Sequence, residues 1–103
     1  MSWVSVCQAS DIDSEDVYRF DHEGRSYAIY HAESGFFATA DICTHEHAHL
    51  SAGLVIGDVI ECPLHQGRFH IPSGRALSPP ACVNLKTYTV KVESGTLFVD
   101  LDR

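Results

Sequence analysis

Residues 43–65 read CTHEHAHLSAGLVIGDVIECPLH and hold two of the four cysteines and four of the seven histidines of a 103-residue chain. The two ends mirror each other: Cys43-x-His45 opens the stretch and Cys62-x-x-His65 closes it. Between them, LVI (54–56), Gly57-Asp58 and VIE (59–61) read as a short hairpin ending on Cys62, because two apolar, β-branched runs flank a turn signal. Each Cys-His pair therefore falls on a loop at the end of a hairpin. Two such loops side by side form a clamp whose geometry the flanking strands hold rigid.

Outward from this stretch the chain continues as short strands. WVSVC (3–7) alternates, and ASDIDSED (9–16) is a polar loop or one helical turn. VYRFDH (17–22), a turn at Glu23-Gly24 and SYAIYHA (26–32) form a hairpin; Ser34-Gly35 turns the chain into FFATA (36–40). GRFHI (67–71) leads into PSG (72–74), and Pro79-Pro80 excludes regular structure there. TYTVKVE (87–93), Ser94-Gly95 and TLFVDL (96–101) alternate on both arms and make the clearest hairpin. No amphipathic helix, repeat or linker interrupts this pattern. Residues 1–103 are thus expected to form one all-β domain of small antiparallel sheets or a partial barrel.

Hydrophobic residues make up 45% of the chain, enough for a single modest core. The start, MSWVSVCQASD, lacks the basic and apolar regions of a signal peptide, and no apolar run has membrane-spanning length, which predicts a soluble cytoplasmic protein. Seven basic residues against fourteen acidic ones give a net charge of -7. That argues against nucleic-acid and membrane partners and allows steering toward a basic protein surface. A secreted disulfide scaffold would carry a denser cysteine framework; in a reducing compartment Cys43 and Cys62, each with a nearby histidine, read as metal ligands. Cys7 and Cys82 have no histidine within three residues and read as small buried hydrophobes.

Two thiolates and two imidazoles suit zinc or an iron–sulfur cluster. A common zinc finger puts both cysteines on one loop and both histidines on the other, whereas here each loop carries one of each. That arrangement fits a two-iron cluster in which one iron takes the sulfurs and the other the nitrogens; a zinc-stabilised interaction module stays open. His45-Glu46-His47-Ala48-His49 also matches the H-E-x-x-H pattern of zinc proteases. That pattern needs a sustained helix, and it leaves Cys43, Cys62 and His65 unexplained. Glu46 reads as a solvated loop carboxylate.

The full pattern, C-T-H, sixteen residues, then C-P-L-H-Q-G-x-F, resembles the Rieske 2Fe–2S family from Trp3 to Leu101, and most of all the small ferredoxins of bacterial aromatic-ring dioxygenase systems. Asp58-Val59-Ile60-Glu61 before the second cysteine, Gly74 and the Pro79-Pro80 loop add to the resemblance, and in the family that loop lies against the cluster. The resemblance implies one Rieske-type 2Fe–2S cluster, with Cys43 and Cys62 on the inner iron and His45 and His65 on the outer one. It implies a one-electron carrier with no catalytic residues, passing electrons from a flavin-dependent ferredoxin reductase to a terminal oxygenase. A monomer is expected; a Rieske small subunit of another oxidoreductase, nitrite-reductase-like, is the alternative. Glu46 stands where many members have glycine, and His70 where many have an acidic or amide residue. His47, His49 and His70 have no ligand role in the family pattern. High-potential members have a second pair of cysteines, a serine and a tyrosine where this chain has Ala48, Leu64, Gly67 and Phe69, which implies a potential near the low end of the Rieske range, about -150 mV.

Overall fold

The computed structural model describes residues 2–44, 48–64, 66–78 and 83–101. Ten strands follow one another: β1 (Trp3–Gln8), β2 (Asp16–His22), β3 (Arg25–Ala32), β4 (Gly35–Ala40), β5 (Leu54–Ile56), β6 (Val59–Glu61), β7 (Arg68–His70), β8 (Ala76–Ser78), β9 (Thr87–Glu93) and β10 (Thr96–Asp100). Single 3-10 turns lie at Ala9–Asp11 and Leu50–Ala52. Among the described residues there is no α-helix, and no helix is long and apolar enough to cross a membrane.

All pairings are antiparallel. One sheet has the order β1-β10-β9-β4-β3-β2 and the other β5-β6-β7-β8. The larger is two three-stranded ribbons joined by only two residue pairs, Ala38 with Tyr88 and Thr39 with Thr87, which matches the expected small antiparallel sheets. β3 is the wall between two cores. Its side chains alternate with period two, so Ala28, Tyr30 and Ala32 enter one core while Tyr27 and Ile29 enter the other. The first core joins β3 to Val55, Ile60 and Phe69 of the small sheet and takes in both Cys43 and Cys62. The second packs Tyr27, Ile29 and Ala38 against Leu97 and Val99 of β10.

The small sheet is pinned to the larger one by its β5–β6 turn. Gly57 N–H donates to Glu15 Oε2 (2.7 Å), its carbonyl accepts from Glu33 N–H (3.0 Å), and Asp58 Oδ1 accepts from Ser34 N–H (2.9 Å). Gly53 allows the closest approach. A Cβ there would collide with the Glu61 carbonyl oxygen, one residue before Cys62.

Three details differ from the expectations above. β8 carried no strand signal, being three residues whose Leu77 is exposed; it forms by pairing with β7. The strand expected over 67–71 shortens to Arg68–His70, because Ile71 N–H turns away to the Asp58 carbonyl at 2.8 Å. Cys7 is half-buried rather than buried, at a register shift of β1 between Ser5 and Cys7. Burial, and secondarily Asp11, raises its thiol pKa. Cys82 and Pro79-Pro80 lie outside the described residues.

Candidate metal centre

The first loop grows out of β4 as a hairpin without regular strands. Leu50 N–H donates to the Asp41 carbonyl (2.7 Å), Ile42 bridges His49, and Cys43 N–H donates to the Ala48 carbonyl (2.8 Å). The second loop connects β6 to β7, and Cys62 N–H donates to the Gly67 carbonyl at 2.7 Å. Each cysteine thus closes its own loop by bonding to the carbonyl five residues on. Gln66, at φ 57, takes the left-handed conformation that turns the second loop back toward β7.

Both thiols point inward. Cys43 is 3% exposed and Cys62 1%, they belong to one core cluster with Leu50, Ile60 and Phe69, and neither forms a disulfide. His45 and His65, the two expected imidazole ligands, lie outside the described residues, as do Glu46 and His47. Around the loops Ile42, Leu64 and Val83 stay 39%, 45% and 57% exposed, an apolar collar. Val83 follows the proline loop and is tied to the first loop, its carbonyl accepting from Thr44 Oγ1 at 2.6 Å. Gly74 anchors the same segment: its carbonyl accepts from Leu85 N–H (2.7 Å), and at φ +74 a Cβ would sit 2.5 Å from the Leu85 carbonyl oxygen.

Asp41 is the residue that the sequence reading missed. It is fully buried, and its carboxylate accepts from Ser51 N–H (2.8 Å, Oδ1), from Ser51 Oγ (3.1 Å, Oδ2) and from His49 Nδ1 (2.8 Å, Oδ2). A carboxylate only accepts, so the Nδ1 proton belongs to His49. The bracket closes the base of the first loop from inside. Beside it Tyr30 donates to Thr39 Oγ1 (2.8 Å), which donates onward to the Ala40 carbonyl (2.8 Å). Burial pushes the Tyr30 phenol well above its ordinary pKa, with Asp41 and Cys43 adding to the effect.

Two of the other histidines, His49 and His70, are placed by the described residues. His49 is extended, at φ -89 and ψ 122, and its ring is engaged by Asp41, so the H-E-x-x-H match does not lie on a helix at its second histidine. His70 lies on the face of β7 opposite buried Phe69 and bonds Ser73 Oγ through Nδ1 at 2.7 Å.

Residues 2–89 match the family of the Rieske [2Fe-2S] domain. The chain belongs to the Rieske family. It is 43% identical to the ferredoxin component of the naphthalene 1,2-dioxygenase system of Pseudomonas putida, over 98% of this chain and 97% of that one. In the solved complex of reduced oxygenase and oxidized ferredoxin of carbazole 1,9a-dioxygenase, a 39% identical chain superimposes with a TM-score of 0.93 over 98% of this chain and 94% of its own length. A putative nitrite reductase small subunit, 24% identical with a TM-score of 0.81 over 97% of this chain and 99% of its own, shares the fold alone.

The cofactor is one Rieske-type 2Fe–2S cluster, which replaces the zinc reading. The described residues fit it. An iron held by two thiolates needs both sulfurs near one another and shielded from water, and Cys43 and Cys62 are two thiols buried in one core. None of Ala48, Leu64, Gly67 and Phe69 carries a side-chain O–H or S–H to donate to cluster sulfur.

Proposed function

We propose that this chain is the ferredoxin component of an aromatic-ring-hydroxylating dioxygenase system, carrying one electron at a time from a flavin-dependent reductase to a terminal oxygenase. The observation that carries this reading is the end-to-end match to the naphthalene dioxygenase ferredoxin component, at 43% identity over 98% of this chain. In it, Cys43 and Cys62 hold the inner iron and His45 and His65 the outer, solvent-facing one. The carrier works as a monomer in the cytoplasm, as a single domain.

The bound cluster supplies a one-electron store. The chain does the rest. Buried Leu50, Ile60 and Phe69 keep water from the two sulfurs, and the bonds from Cys43 N–H and Cys62 N–H hold both loops in place, so little rearrangement accompanies a change of charge. Ile42, Leu64 and Val83 offer a partner an apolar contact around the loops.

The test is reconstitution. The purified chain should be red-brown, become paramagnetic on reduction, and be required for NAD(P)H-driven hydroxylation of naphthalene by a purified reductase and naphthalene dioxygenase oxygenase. A colourless zinc protein, or hydroxylation that proceeds equally without the chain, would refute the reading.

A further inference from the structure

The chain has seven basic residues, and three of them, Arg19, Arg25 and Lys86, line one groove at the end of the larger sheet, where β3 begins and β4 ends. Its floor is aromatic: Tyr27 and Tyr88 meet edge to face at 5.2 Å, and the Lys86 ammonium lies 5.6 Å from the Tyr88 ring centre. Its far end is formed by Ile42 and His49, which flank the first cysteine loop. Arg19 is matched by Asp21 at 3.0 Å, and His49 by Asp41. Arg25 and Lys86 are exposed and make no ion pair among the described residues, on a chain with fourteen carboxylates available.

We infer that this groove docks an acidic segment of one of the carrier's protein redox partners. Two cations unmatched among the described residues, on a chain of net charge -7, make a local field opposite to that of the whole molecule. Arg75 is a lone exposed cation beside His70 and Asn84, whereas here two such cations line one groove, and an approaching carboxylate-rich surface that pairs with both is held in one orientation. Protein, rather than a small anion, is the occupant that the anatomy fits. The lining mixes these cations with Tyr27, Tyr88, Ala40 and Ile42, the blend of aromatic, apolar and charged groups found in protein interfaces. Because Ile42 and His49 close the groove, an occupant lies directly beside the first loop, where electron transfer needs the partner to be. The inference rests on the electron-carrier reading, and the experiment separates the two.

Lys86 and Lys91 are the only lysines, and Lys91 sits elsewhere, 4.3 Å over the Trp3 ring. Carbodiimide treatment of the loaded protein with a glutamate-rich decapeptide, and in parallel with the reductase and with the oxygenase, should form amide links at Lys86 in preference to Lys91. In stopped-flow measurements of each half-reaction, Arg25→Glu and Lys86→Glu, with the visible spectrum unchanged, should slow transfer with one partner by about tenfold at low salt. Lys86→Arg should keep the wild-type rate. Peptide links spread equally over both lysines, or half-reactions unaffected by either charge reversal, would overturn the groove assignment. Wild-type protein that exchanges electrons with neither partner would instead overturn the carrier reading, while the peptide links still decide the groove.

Discussion

Replacing Asp41 by Ala should loosen the first loop without touching a metal ligand. Three acceptor bonds disappear: those from Ser51 N–H, Ser51 Oγ and His49 Nδ1. The Ser51 amide is part-buried and loses its partner outright, a cost of about 1–2 kcal/mol, while the Ser51 hydroxyl and the partly exposed His49 ring recover some solvation and lose about 0.5–1 kcal/mol each. The sum is about 3 kcal/mol, equivalent to a fall in unfolding temperature of roughly 10–20 °C for a domain of this size. Asp41→Asn is the discriminating variant. Its Oδ1 still accepts from Ser51 N–H, and its amide can donate to the Ser51 hydroxyl and to His49 in the other tautomer, so the expected loss is about 1 kcal/mol. Metal-loaded proteins unfold irreversibly, so the assay is the rate at which visible absorbance bleaches in guanidinium at fixed temperature. The Ala variant should bleach at least about tenfold faster than the Asn variant, since a difference of about 1.4 kcal/mol is tenfold. An Ala variant that bleaches at the wild-type rate would refute the idea that this bracket holds the loop.

Cys43→Ala, His45→Ala, Cys62→Ala and His65→Ala should each abolish the visible spectrum and sharply lower stability, because binding and folding energy are coupled at such sites; His47→Ala and His49→Ala should leave the spectrum nearly intact. Cluster loss on changing His47, with His45 dispensable, would reverse the ligand assignment. Gly53→Ala places a methyl on the Glu61 carbonyl, which can retreat only by disturbing the Leu54–Glu61 pairing next to Cys62. It should cost about 1–3 kcal/mol and hasten bleaching, with an unchanged bleaching rate counting against it. Tyr30 governs the alkaline limit. Its phenol is raised in the folded protein, so the unfolded chain ionises first and folding must then rebind the proton. Stability from this group is complete below the unfolded value of about 10 and declines as pH rises above it. Tyr30→Phe should flatten that part of a urea-midpoint profile between neutral and strongly alkaline pH, and an identical profile for both proteins would exclude the effect.

The hairpins were legible because their signals are local. TYTVKVE and TLFVDL alternate within seven and six residues, and β9 (Thr87–Glu93) and β10 (Thr96–Asp100) follow them almost residue for residue. The spacing of Cys43 and Cys62, each near a histidine, singled the two out along the chain, and the fold buries both in one core. β8 was not legible, since nothing within ALS distinguishes three paired residues from a loop until β7 lies alongside. Nor was Asp41 distinguishable from the chain's other acidic residues. Its burial and its three donors exist only once the loop has folded back to bring His49 and Ser51 onto it. The same holds for Arg25 and Lys86, which lie far apart in sequence and share a groove only because β4 pairs with both β3 and β9. Periodicity is a property of neighbours along the chain, so the sequence by itself determined the long hairpins. Which charges meet, and which are left unmatched, depends on strand pairing across the sheet, and only the tertiary structure decided that.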